Sequence, residues 1–268
     1  GAVEPAHDLL DRHGVTIDLD DYLPPVIDTY TVGEGRVLGM PFNSSTPILY
    51  FNRDLLRRAG FEQGPKTWQE MESMIVAAQD KGVLGAHGRK VCGFAFSGGL
   101  WENFENWSAI HDQPYATKRN GRDGLDVELI YNKTKVVTHM DRLARWTKAG
   151  LAEFGADNPT DWGSGAMTNF LAGNCLFWAA STASHARVER GAAFDWSATY
   201  LPYDPDVIAE PINSTIGGAA LYVLKGHKPE EYAGVARFFE FLTSVEVQKD
   251  WHKATGYVPI TIAAYESL

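Results

Sequence analysis

Short apolar runs alternate with stretches whose apolar residues recur at helical spacing along most of this chain. The runs at 36–40, 48–51, 91–97, 175–180, 196–201 and 219–224 are bounded by Gly, Pro, Asn or Ser and read as strands. Between them, Met71, Met74, Ile75 and Ala78 share one helix face, as do Val137, Met140, Leu143 and Trp146. The same spacing links Trp101, Phe104, Trp107 and Ile110, with Glu102 and Glu105 on the wet side, and links Tyr232, Ala236, Phe239 and Leu242. Strands alternating with helices predict an α/β fold with mainly parallel sheets. The run CLFWAA at 175–180 is apolar throughout, as a parallel strand buried on both faces would be.

Punctuation sharpens the boundaries. Asn52 is an N-cap type, with Asp54 in the first turn, Arg57 and Arg58 in the last, and Gly60 as the stop. Thr67 and Glu70 form a capping box, T-W-Q-E, and Gly82 ends that helix. Pro229 opens a helix and Gly256 closes the one after it. Gly98 and Gly99 permit a sharp turn, and another helix runs from Asp161 to Gly173.

The stretch Pro41–Gly60 combines opposite characters. Asn43, Ser44, Ser45 and Thr46 are a polar, hydroxyl-bearing run flanked by prolines, and Ile48 to Phe51 follow as an apolar one. A strand that leaves one core, offers hydroxyls and enters another is a natural crossing between two lobes. An ordinary surface loop before a strand is the bland alternative. Ser181, Thr182 and Ser184 place a second hydroxyl cluster at the end of the CLFWAA strand, where α/β sheets bind ligands. Gly217 and Gly218 open a strand where backbone N–H groups can approach a ligand, or simply form a bulge. Trp68, in the first turn of its helix, is either a ring lying over a cleft or a core plug.

Composition narrows the classes. At 268 residues, 44% hydrophobic and 22% charged, the chain is that of a globular protein of one large or two modest domains. A net charge of −10 argues against nucleic acid or an anionic membrane surface as partner. Cys92 and Cys175 are one disulfide closing a long loop or two buried thiols. The histidines are scattered singly, and no nucleophile elbow, zinc-binding helix motif, dinucleotide fingerprint or calcium loop is present, so no catalytic, metal or cofactor set assembles. The chain begins inside what reads as a helix, AVEPAHDLLDRHGV, as a fragment would.

Six blocks then occur in order: GMPFNSSTPILYFNRD (39–54), PKTWQE (65–70), ENFENWSA (102–109), GNC (173–175), IGGA (216–219) and WHKATGYVPIT (251–261). Together they resemble the periplasmic glycerol-3-phosphate-binding proteins of ATP-driven importers, within the larger family of extracellular solute-binding proteins. The resemblance implies a two-lobe periplasmic solute-binding α/β fold with crossing strands at a hinge, the ligand clamped between lobes. Residues 1–46 would end lobe 1, 47–195 form lobe 2, 196–256 return to lobe 1, and 257–268 begin a third crossing. It carries ligand contacts to Ser45, Trp68 as a stacking wall, Ser181, Gly218 and Tyr257. It implies a non-catalytic, monomeric protein without metal or cofactor, outside the cytoplasmic membrane, delivering a glycerol phosphate or glycerophosphodiester to membrane permease subunits. The nearest rival is a sugar- or oligosaccharide-binding protein of the same fold; a phosphodiester hydrolase is the rival of a different class. Family members are longer at both ends, where a Tyr, an acidic residue and a phosphate-pairing Arg lie, so the expectation is weak ligand binding by this chain alone.

Overall fold

The strands of the computed structural model are β1 (Val3–Glu4), β2 (Thr31–Val32), β3 (Arg36–Val37), β4 (Met40–Ser45), β5 (Pro47–Asn52) and β6 (Cys92–Phe96). They continue as β7 (Ala152–Phe154), β8 (Cys175–Ser181), β9 (Trp196–Thr199), β10 (Gly217–Leu221) and β11 (Val223–Leu224). The structure describes residues 1–33, 35–97, 101–155 and 164–268. The turn expected at Gly98–Gly99 and the first residues of the helix expected from Asp161 lie outside these; the described helix is Ser164–Leu171.

Backbone contacts group the chain into two units. Unit 1 is Gly1–Thr46, Thr182–Ala186 and Ile216–Leu268, and unit 2 is Pro47–Ser181 and Arg187–Thr215. The first change of unit lies between Thr46 and Pro47. The return differs: residues 196–215 stay in unit 2, because β9 pairs antiparallel with β5 from Leu49↔Thr199 to Asn52↔Trp196. Residues 257–268 stay in unit 1, held by a bridge from Val258 to Ser44 and another from Thr261 to Tyr22.

Unit 2 is organised on a five-stranded sheet in the order β7-β6-β8-β5-β9. It is mixed rather than mainly parallel: β6 pairs parallel with β7 and β8, while β5 pairs antiparallel with β8 and β9. The CLFWAA strand is buried on both faces, as its composition requires. Leu49, Phe51, Phe177 and Ala179 face one apolar cluster; Tyr50, Trp178 and Ala180, offset by one residue, face the other. The helix Arg53–Ala59 starts where Asn52 accepts the Leu55 N–H and stops at Gly60 in the left-handed conformation. The helix Trp68–Asp80 carries the full Thr67/Glu70 capping box. Cys92 and Cys175 are direct register partners on β6 and β8 and form a disulfide, which closes the question the sequence left open.

Unit 1 builds a smaller core from Leu9, Leu10, Val26, Val37, Met40, Val223, Ala236 and Phe239. Its ladders are two-stranded, β1-β11, β10-β4 and β2-β3. The hydroxyl run is itself β4, all but Phe42 of it buried. In the β4–β10 ladder the register slips between Ala219 and Ala220, and the Asn43 side chain takes up the Ala219 N–H at 3.0 Å. Gly218, at this irregularity, has φ +131°, and a Cβ there would stand 2.1 Å from the Asn43 carbonyl oxygen.

Two outcomes follow from this packing. Replacing both cysteines by Ala leaves an 83-residue loop open in the unfolded chain and lowers unfolding free energy by about 2–4 kcal/mol. Urea unfolding of oxidised and variant protein measures it; an unchanged midpoint contradicts a stabilising bridge. Gly218→Ala meets both the backbone conformation and the Asn43 carbonyl, and loses about 2 kcal/mol or more, whereas Gly226→Ala, with open space around it, pays only the backbone term. Equal midpoints for the two variants contradict the tight approach.

Candidate functional site

Three of the expected site residues come together in unit 1. β4 lies between two neighbours: Gly217 pairs with Ser45 and Gly218 with Ser44 on one edge, while on the other Val258 N–H donates to the Ser44 carbonyl at 2.8 Å. Ser45, Gly218 and Tyr257 are therefore carried on adjacent extended segments. Gly218 is exposed and Tyr257 half-buried, while Ser45 is buried. The donors this arrangement presents are neutral hydroxyls and backbone N–H groups. Such groups can bind an anionic or polyol oxygen without burying a cation of their own.

Local chemistry explains why Tyr257 sits there. His252 Nδ1 contacts the Tyr257 carbonyl at 2.8 Å, and Thr255 Oγ1 accepts the Tyr257 N–H at 3.2 Å. Gly256 ends the helix Val245–Thr255 at φ +89°, and a Cβ on it would meet the Thr182 carbonyl at 2.5 Å. His252, Thr255 and Gly256 of the WHKATGY block thus each shape the turn that carries the tyrosine. Gly256 was read from the sequence as the helix stop; the roles of His252 and Thr255 were not, although their fixed spacing was the available signal.

Ser181 is the last residue of β8, in unit 2, paired with Pro47; its carbonyl accepts the Tyr50 hydroxyl at 3.1 Å. The next pair along belongs to unit 1: Thr182 N–H donates to the Thr46 carbonyl at 3.0 Å, and Thr46 N–H donates to Thr182 Oγ1 at 3.3 Å. Thr46, between β4 and β5, and Thr182, just past β8, therefore hold each other through both backbone groups of Thr46. Thr46 and Thr182 were read in the sequence as members of the two hydroxyl clusters, without a contact between them.

Trp68 does not join this group. Its ring is 2% exposed, within the apolar cluster of unit 2, against His139 at 4.5 Å, Phe94 at 5.9 Å and Trp146 at 6.0 Å between ring centroids. The Arg142 guanidinium lies 5.7 Å from its centroid. A ring enclosed in this way offers no open face for stacking, so the core-plug reading describes it and the stacking wall does not. Around it runs a buried polar network. Arg142 pairs with Asp204 through two bonds, at 2.6 and 3.0 Å, and Trp107 Nε1 donates to the same carboxylate at 3.0 Å. His111 accepts the Asp204 backbone N–H on Nε2 at 2.7 Å and meets the Trp107 carbonyl with Nδ1 at 2.6 Å, which fixes a neutral tautomer protonated on Nδ1.

Glu102, expected on the wet side, is a further correction. A π-helical segment, Trp101–Glu105, precedes the α-helix Asn106–Ile110 and shifts the phase of the face. One Glu102 carboxyl oxygen is consequently buried, and burial holds that carboxyl above its usual range.

Burial lowers the His111 pKa, and that of the fully buried His139 far more. Both are neutral when folded and protonate readily once unfolded, so their contribution is intact above the ordinary histidine value of 6.5 and is lost as pH falls below it. The urea midpoint should therefore drop between about pH 7.5 and about pH 5.5, a window above carboxylate titration. A flat profile there contradicts two neutral buried imidazoles.

The whole chain matches known proteins. Residues 3–267 match the bacterial extracellular solute-binding protein family. The sn-glycerol-3-phosphate-binding periplasmic protein UgpB of Salmonella typhimurium is 39% identical over 99% of this chain and 58% of its own length. UgpB of Yersinia enterocolitica is likewise 39% identical over 99% of this chain and 58% of its own. The chain thus spans little more than half the length of these relatives. Among solved structures, Mycobacterium tuberculosis UgpB in complex with glycerophosphocholine superposes with a TM-score of 0.79 at 22% identity, covering 99% of this chain and 62% of that one. Maltose-bound MalE3 of T. maritima gives 0.77 at 20% identity, covering 98% and 63%. Both share the fold, and by the match along nearly its full length this chain belongs to the bacterial extracellular solute-binding protein family.

Proposed function

We propose that this chain takes part in capturing sn-glycerol-3-phosphate, or a glycerophosphodiester such as glycerophosphocholine, for an ATP-driven importer. The observation that carries the reading is the 39% identity to sn-glycerol-3-phosphate-binding proteins over 99% of the chain. The site chemistry supports it. Ser45, Gly218 and Tyr257 in unit 1, with Ser181 at the end of β8, supply hydroxyls and backbone N–H groups suited to phosphate and glycerol oxygens. The reading is binding followed by release to permease subunits, without bond cleavage. Its compartment is the periplasm, where the Cys92–Cys175 disulfide would persist.

Ligand-observed NMR, which detects weak binders, tests the reading on this chain with glycerol-3-phosphate, glycerophosphocholine and maltose. The phosphate ligands should bind at least about tenfold more tightly than maltose, a difference of about 1.4 kcal/mol. Ser45→Ala should weaken them by about 1 kcal/mol, the worth of one neutral hydrogen bond. Preference for maltose would move the assignment to sugars, and conversion of the ligand during the titration would move it to hydrolysis.

A further inference from the structure

We infer that reducing the Cys92–Cys175 disulfide opens a metal site in unit 2, where both thiolates and the Glu153 carboxylate bind a zinc-class divalent cation. Three neighbouring strands of the five-stranded sheet supply one side chain each: Glu153 from β7, Cys92 from β6 and Cys175 from β8. The cysteines are register partners, and Glu153 stands opposite Ala95 on the other edge of β6. Their sulfur and carboxylate oxygen atoms all lie within 4.8 Å of one another. Around a tetrahedral zinc ion, sulfur at about 2.3 Å and oxygen at about 2.1 Å stand roughly 3.5–3.8 Å apart. The opened sulfurs separate to that spacing, and the carboxylate closes to it by a shift of about 1 Å. Nothing in the sequence announces the site, since only sheet register brings together cysteines 83 residues apart.

The donor chemistry selects the ion. Two soft sulfurs with one carboxylate suit zinc or cobalt, whereas calcium and magnesium take oxygen ligands. The site lies on the face of the sheet covered by the helix Ser164–Leu171, whose Ala166 and Phe170 share one apolar cluster with both cysteines. From the same helix, Asn169 Nδ2 donates to Glu153 Oε2 at 2.8 Å and holds the carboxylate in place. Glu153 is exposed while both cysteines are buried, so the ion enters from the Glu153 side and keeps a water as fourth ligand. A phosphine reductant and one water convert the disulfide to two thiols and a phosphine oxide. The cation then displaces both thiol protons. Disulfide and metal complex draw on the same two sulfurs, so each excludes the other.

Cobalt(II), a spectroscopic stand-in for zinc, tests the site when titrated into the full chain after phosphine reduction. The expected result is thiolate-to-cobalt absorption in the near ultraviolet with tetrahedral d–d bands in the visible. Both should saturate at one cobalt per chain, vanish on adding zinc, and be absent from the oxidised chain. Glu153→Gln, at an exposed position, should weaken cobalt binding at least about tenfold, and Asn169→Ala about tenfold. Near-ultraviolet circular dichroism reports whether the reduced chain keeps its fold. A folded reduced chain without these bands overturns the inference, as does a reduced chain that unfolds and is not refolded by cobalt. Unchanged affinity in Glu153→Gln overturns it too, by removing the carboxylate from the site.

Discussion

Every backbone N–H and C=O of a buried extended segment must find a partner, and the segment from Met40 to Asn52 meets that demand in two different ladders. β4 is satisfied by β10 and by Val258; β5 is satisfied by β8 and β9. Thr46 stands at the change, its carbonyl and N–H both taken by Thr182. Pro47 follows, and the N–H it lacks is one the ladder does not have to pair. Much of the candidate site follows from this constraint. The bulge opposite Asn43 exposes Gly218, and the Ser44 carbonyl fixes the segment that carries Tyr257.

Much of this was legible because its causes are local. Asn52, Gly60, the Thr67/Glu70 box and Gly256 act within one turn of the chain, and each sits where sequence places it. The hydroxyl run was legible as something that leaves one apolar run and enters another. Longer-range consequences were not. β9 belongs to unit 2 because of pairing with residues far back in the chain, and nothing in its own residues states that. Trp68 has the spacing of either a wall or a core plug, and only the packing of Phe94, His139 and Trp146 around it decides. Glu102 went astray because an α-helical period was continued through a π-helical segment. The ligand class was never in the spacing; it came from resemblance, and residue chemistry is only compatible with it.

The two units handle polarity differently. Unit 2 buries a charged pair, two imidazoles and several indoles in its core, and ties Arg142, Asp204, Trp107 and both imidazoles to one another. A network of this kind penalises any rearrangement that strands one member, so it favours a single packing of the helices around the sheet. Unit 1 buries the Ser44 and Ser45 hydroxyls on β4, between β10 and the Val258 segment, and leaves Gly218 exposed and Tyr257 half-buried beside them.

The account's central claim is that the donors gathered on β4 and its neighbours contact the ligand. Titrating glycerol-3-phosphate into the isotope-labelled chain and following backbone amide shifts tests it most directly. Shifts concentrated at Ser44–Thr46, Gly217–Gly218 and Tyr257–Val258 are the predicted result. Saturable shifts that leave all three segments unmoved would contradict it.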